Sequence, residues 1–265
     1  MIEIIIYMIC AGAAIGFFAG LLGIGGGIFF VPALFFLLQK EGMSHADAMK
    51  LSIGTSQAII LFTTLSSTLT HAKKRSIEWG FIRNIAFGLI AGAIIGPIAT
   101  RLMHERLLGI LFGIVECLFA LYFATLKPDR TLIEIKKIDF PLITLIGFVT
   151  AFLSTLMGIG GGMILIPLMV FLHIGLKPAI ATSSFLTFLL ALVGTAGFLV
   201  PTGSTEPYSI GLVYWPALAA MAGASIITAR FGAMATYKMH RRHLKLIFSF
   251  LLMFIGIWMI YKATG

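Results

Sequence analysis

Charge is scarce in this sequence. Only 11% of its 265 residues are Asp, Glu, Lys or Arg, against the ~25% typical of soluble domains, and the deficit excludes a water-exposed surface of ordinary size. Apolar side chains make up 59% of the chain, so the excess must face an apolar solvent, and that solvent is lipid. Cysteine is nearly absent: Cys10 and Cys117 both sit inside apolar runs, which excludes a disulfide framework and a cysteine-based metal site. The six histidines (His45, His71, His104, His173, His240 and His243) fall at or near the ends of apolar blocks without metal-ligand spacing, so neither a metal nor a cofactor is expected. Deep inside the apolar blocks the acids reduce to one, Glu116. An intramembrane enzyme would need paired titratable groups or a metal cluster at that depth. The N-terminus lacks a basic region and a small-residue cleavage site after its apolar stretch, and reads as retained structure rather than a signal peptide. The net charge of +9 is gathered in short clusters between uncharged runs, a distribution that fits membrane topology and not nucleic-acid binding.

What the sequence has in abundance is long apolar blocks, over residues 4–39, 51–72, 84–100, 107–126, 140–176, 178–205, 207–229 and 246–261. A bilayer core of ~30 Å needs ~20 helical residues, so the first and fifth blocks are nearly twice the necessary length. Both carry one signature: Gly23-Ile24-Gly25-Gly26-Gly27 with Pro32, and Gly158-Ile159-Gly160-Gly161-Gly162 with Pro167. The echo continues with Gly54-Thr55-Ser56 against Ala181-Thr182-Ser183, and Gly92-Ala93 against Gly223-Ala224. The chain therefore reads as two repeats, 1–126 and 140–265, joined by a charged linker over 127–139. Charge orients them. If the two long blocks return to the side they start from, only Lys40, Lys50, Arg101, Arg106 and Lys262 lie outside and the other fourteen basic residues lie in the cytoplasm, as positive residues prefer. The expected fold is thus all-α and polytopic, with two inverted repeats, each a glycine-broken or re-entrant helix followed by three transmembrane helices. A re-entrant hairpin and two short crossing helices have the same parity and stay open.

Four glycines in five residues at membrane depth break a helix, and the freed backbone is tolerated only where protein or a water-filled cavity surrounds it. New half-helices are expected to start at about Ile28 and Met163, where unpaired N–H groups and positive dipole ends make an anion site without a charged side chain. The candidate binding residues are Gly25, Gly26, Gly27, Ile28, Gly160, Gly161, Gly162 and Met163, with hydroxyl and amide donors from Thr55, Ser56 and Gln57 in one half and Thr182, Ser183 and Ser184 in the other. Gly12/Gly16/Gly20 and Gly88/Gly92/Gly96, at four-residue spacing, read instead as packing faces. Glu116 is a candidate for proton coupling, or else a neutral acid holding helices together. Arg101 and Arg230, near block ends, are expected to snorkel to the interface.

The duplicated pattern from Ala19 to Pro32 and from Leu156 to Pro167, with Thr-Ser pairs in step, resembles the TauE/SafE sulfite-exporter family over nearly the whole chain. The resemblance implies a bacterial or archaeal plasma-membrane permease that moves sulfite or a related sulfur-containing anion outward, its partners being the small anion and the bilayer. Three alternatives stay open: a proton-coupled transporter of another small anion such as a carboxylate, a cation transporter, and a structural membrane subunit.

Overall fold

Glycine breaks the first long block into two helices that fold back on each other. The computed structural model describes residues 2–73, 76–125, 139–201, 206–235 and 241–264. The linker expected over 127–139 lies outside the described residues except for Asp139, as do Lys74, Arg75 and residues 238–240 of the basic loops. In the first half, α1 (Ile2–Leu22) ends at the glycine run and α2 (Gly27–Lys40) leaves it. Lys40 Nζ then lies 5.1 Å from the centre of the Tyr7 ring, so α2 returns to the face where α1 began. The pair is a helical hairpin. Next come α3 (His45–Ala72), α4 (Trp79–Leu102) and α5 (Glu105–Thr125). Ser44 sets the start of α3, its hydroxyl oxygen accepting from the Asp47 N–H at 3.1 Å, as an N-cap serine does.

The second half repeats the order with α6 (Phe140–Met157), α7 (Gly162–Phe171), α8 (Leu176–Leu199), α9 (Trp215–Ala235) and α10 (Arg241–Thr264). A short hairpin of β1 (Ser209–Ile210) and β2 (Val213–Tyr214), paired antiparallel, lies between α8 and α9. Among the described residues, six helices are long and apolar enough to cross a membrane. Large apolar side chains such as Phe87, Ile94, Leu118, Ile227 and Phe254 point outward, as a lipid-facing surface requires.

The halves interlock through small residues. Gly12, Gly16 and Gly20 of α1 lie against Met221, Ser225 and Ala229 of α9, and Gly88, Gly92 and Gly96 of α4 against Thr144, Phe148 and Thr155 of α6. Rising numbers match rising numbers, so both pairs run parallel, with backbones close enough to exclude a side chain. The remaining pairs match like with like and run antiparallel: Gly109 and Gly113 of α5 meet Ala263 and Gly256 of α10. In the centre, Gln57 of α3 meets Leu190 and Gly194 of α8, while Ile60 and Thr187 meet beside Gly25 and Gly160.

Candidate functional site

The site is built where the two glycine runs meet. Three glycines of the first run, Gly23, Gly25 and Gly26, take φ of 67°, 86° and 87°, a left-handed region closed to most side chains. In the second run Gly158 and Gly160 do the same, at 66° and 80°, but Gly161 stays right-handed at −73°. The runs lie back to back. A methyl group on Gly27 would overlap the Gly158 carbonyl and Ile159, and one on Gly162 would overlap Ile24 and the Gly23 carbonyl. Only glycine lets these backbones touch.

From this contact α2 starts at Gly27 and α7 at Gly162, one residue before the expected Ile28 and Met163, and neither start is capped by a side chain. The first N–H groups of a helix have no partner within it, so Gly27, Ile28, Gly162 and Met163 present donors from the middle of the molecule. Gly26, Gly27, Ile28, Gly161, Gly162 and Met163 are all buried.

The hydroxyls are engaged otherwise than a simple ligand shell would require. Ser56 Oγ donates to the Gly158 carbonyl at 2.8 Å and Ser183 Oγ to the Gly23 carbonyl at 3.1 Å. Each serine thus satisfies a carbonyl that the break in the opposite half leaves free. Thr55 Oγ1 accepts from the Tyr214 N–H and Thr182 Oγ1 from the Glu78 N–H, both at 2.9 Å, tying down the loops before α9 and α4. Ser184 Oγ returns to the Ile180 carbonyl at 3.0 Å. Gln57 reaches Leu190 O with its amide nitrogen at 3.5 Å, and its Oε1 is buried without a partner. Glu116 is fully buried on α5 with both carboxyl oxygens unpartnered.

Arg101, in the last turn of α4, is held by the end of another helix. Its Nη2 donates to the carbonyls of Gly197 at 2.6 Å and Val200 at 2.9 Å, capping the C-terminal end of α8 where a cation suits the helix dipole. Lys50 Nζ donates to the Arg101 carbonyl at 3.1 Å. Nearby, the β1–β2 hairpin closes over α3. Leu212, Val213 and Tyr214 are buried, and Gly54 is where the Leu212 carbonyl presses against α3. The Tyr214 hydroxyl donates to Glu41 at 3.1 Å, and burial first, then the Glu41 carboxylate, pushes its pKa up to about 12. Sequence reasoning missed this hairpin, whose six residues carry no turn signal stronger than Gly211. It also missed Thr187, whose methyl would lie 2.9 Å from a side chain on Gly25 and 3.2 Å from one on Gly160.

A family model described as sulfite exporter TauE/SafE matches residues 8–259. A probable membrane transporter protein of Haemophilus influenzae is 33% identical over 268 residues, covering 99% of this chain and all of the relative. One from Methanocaldococcus jannaschii is 30% identical over 96% of this chain and 94% of its own length, and one from Bacillus subtilis is 28% identical over 97% and 98%. No solved structure matches.

Proposed function

The chain belongs to the TauE/SafE sulfite exporter family and is a multi-pass membrane transporter, and from that premise we propose that it exports sulfite or a related sulfur-containing anion by alternating access between two broken-helix half-sites. The observation that carries the reading is the meeting of Gly23–Gly27 with Gly158–Gly162, from which α2 and α7 both start without a side-chain cap. Uncapped helix starts are anion sites, and discontinuous helices facing each other across a repeat interface are how many transporters hold charge at membrane depth.

The antiparallel crossings of α3 with α8 and α5 with α10 support inverted repeats, because an axis along the membrane normal would make equivalent helices parallel. The face with the start of α1, the end of α2 and the start of α3 also gathers Lys40, Lys50, Arg101 and Lys262, joined by the Lys40–Tyr7, Lys50–Arg101 and His45–Lys262 contacts. We read this face as the outside and 1–126 and 140–265 as the repeats. The proposed binding residues are Gly25, Gly26, Gly27 and Ile28 with Gly160, Gly161, Gly162 and Met163. Ser56 and Ser183 hold the breaks in shape, Thr55 and Thr182 hold the loops, and Gln57 lies beside the path.

Export needs no coupling ion. A monoanion leaving a cell at ~100 mV, inside negative, gains ~2.3 kcal/mol. A second reading, proton-coupled movement of another small anion, is favoured by Glu116, whose buried and unpartnered carboxyl is what a proton carrier looks like. The test is efflux of radiolabelled sulfite from proteoliposomes at two pH values. Efflux that Gly162→Leu abolishes supports the reading, and efflux equal to protein-free vesicles contradicts it. A pH dependence that Glu116→Gln removes transfers the protein to the coupled reading.

A further inference from the structure

The two breaks are not chemically equal. The start of α2 is lined by hydrocarbon: a side chain at Gly26 would meet Ala19 Cβ at 2.8 Å, Phe30 Cε2 at 3.0 Å and Ile15 Cγ2 at 3.2 Å. Beside Gly25 lie the methyls of Thr187, Ile60 and Thr64, and the Thr64 hydroxyl is already donated to the Ile60 carbonyl at 2.6 Å. At the start of α7 the surroundings change. The Thr187 hydroxyl oxygen stands 3.6 Å from where a side chain on Gly161 would begin, and it is fully buried without a partner.

Several buried hydroxyls on the helices return to the carbonyl one turn back: Ser52 to Ala48, Thr63 to Ile59, Thr64 to Ile60, Thr100 to Gly96 and Ser184 to Ile180. Thr68, Thr144, Ser154, Thr155 and Thr195, like Thr187, carry buried hydroxyl oxygens without a partner, and of these six the Thr187 hydroxyl is the one among the nearest atoms to a side chain on Gly161. Leaving a buried hydroxyl unmade costs more than a typical hydrogen bond returns. Thr187 instead turns its methyl to Gly25 and Gly160 and its oxygen to the uncapped α7 start. At the matching position of α3 stands Ile60, which has no donor to offer.

We infer that the anion is seated one-sidedly, on the first N–H groups of α7 and the Thr187 hydroxyl, with the Ile60 side of the axis serving as an apolar wall. The inference rests on the proposed anion transport and narrows it to one half. The ligand class is a small oxyanion, whose oxygens accept from several converging donors at once.

The experiment measures sulfite efflux from proteoliposomes against internal sulfite concentration for the wild type, Thr187→Val, Thr187→Ser and Gly161→Ala. Valine keeps the shape and the methyl contacts but removes the donor, and is expected to raise the half-saturating concentration about 10- to 100-fold, the worth of a hydrogen bond to a charged ligand. Serine keeps the donor and is expected to stay near wild type. Gly161→Ala adds a methyl beside the hydroxyl at a right-handed position that accepts it; it is expected to fold and to bind sulfite as weakly as the valine variant, and it carries the comparison if Thr187→Val is not recovered. Wild-type efflux with Thr187→Val and Gly161→Ala saturating as the wild type does overturns the inference and leaves the transport reading standing. Absence of efflux in the wild type overturns the transport reading itself.

Discussion

At the scale of single residues, the same letter does different work in the two halves. Gly26 holds φ at 87° and Gly161 at −73°, so alanine at Gly26 carries the ~1–2 kcal/mol penalty of a left-handed residue and a close contact with Ala19. Alanine at Gly161 meets side-chain ends alone, Leu165 Cδ1 at 3.0 Å, Leu190 Cδ1 at 3.4 Å and the Thr187 hydroxyl at 3.6 Å, and changes stability by about 1 kcal/mol or less. Thermal unfolding of the two purified variants in detergent is expected to separate them, with Gly26→Ala the lower. Ser56→Ala and Ser183→Ala each leave a buried carbonyl unpaired and are expected to cost about 1–3 kcal/mol by the same measurement, with a double variant losing the sum if the ties are independent. The glycine runs were legible in the sequence as helix breaks because four glycines in five residues strongly disfavour a continuous helix. The serine and threonine pairs were legible as important but not as ties, because a hydroxyl's partner here lies a hundred residues or more away: Ser56 answers Gly158, and Thr182 answers Glu78. Thr187 was invisible for the opposite reason. One threonine in an apolar helix carries no pattern, and it is the unmade bond beside Gly161 that marks it.

At the scale of elements, the face that gathers Lys50 and Arg101 is fastened across the halves. Arg101 joins α4 to the end of α8, and the β1–β2 hairpin of the second half sits on Gly54 and Thr55 of α3. Any rocking that opens this face must part these contacts. Arg101→Lys keeps the charge but shortens the side chain, drawing its donor back from the two carbonyls that Nη2 reaches. It is expected to lower stability by about 1–2 kcal/mol, read by thermal unfolding. Tyr214 offers a pH test of the same region. Its pKa is raised to about 12 from ~10 in an unfolded chain, so its contribution is complete below pH 10 and is lost as pH rises toward 12. Wild type is expected to lose stability over that window relative to Tyr214→Phe, and parallel curves contradict the assignment. Helices of this kind were readable from block length and composition. The hairpin was not, because two residues per strand fall below any periodicity and its register is set by Thr55 and Phe198, distant in the chain.

At the scale of the whole molecule, the duplication explains the packing. Helices one and four of each half pair with four and one of the other, and the third and fifth pair with their own counterparts in opposite directions. Block lengths and composition were enough to expect an all-α, multi-pass chain, since both are written along it. Its centre was not, because the touching of Gly27 with Gly158 and of Gly162 with Gly23 depends on how two hairpins meet. Single cysteines placed at Lys50 and at Lys177, near the starts of α3 and α8, in a chain with Cys10 and Cys117 replaced, are expected to react with a membrane-impermeant reagent from opposite sides. Labelling of both from one side contradicts the inverted arrangement. The central claim, that an anion crosses unaided through the glycine breaks, is tested most directly by charge movement. Proteoliposomes holding the purified protein and sulfite are given an imposed potential of either sign without a pH gradient. The account predicts sulfite efflux that is faster with the interior negative, slower with it positive, and absent in Gly162→Leu. Efflux indifferent to the potential, or undiminished in that variant, contradicts it.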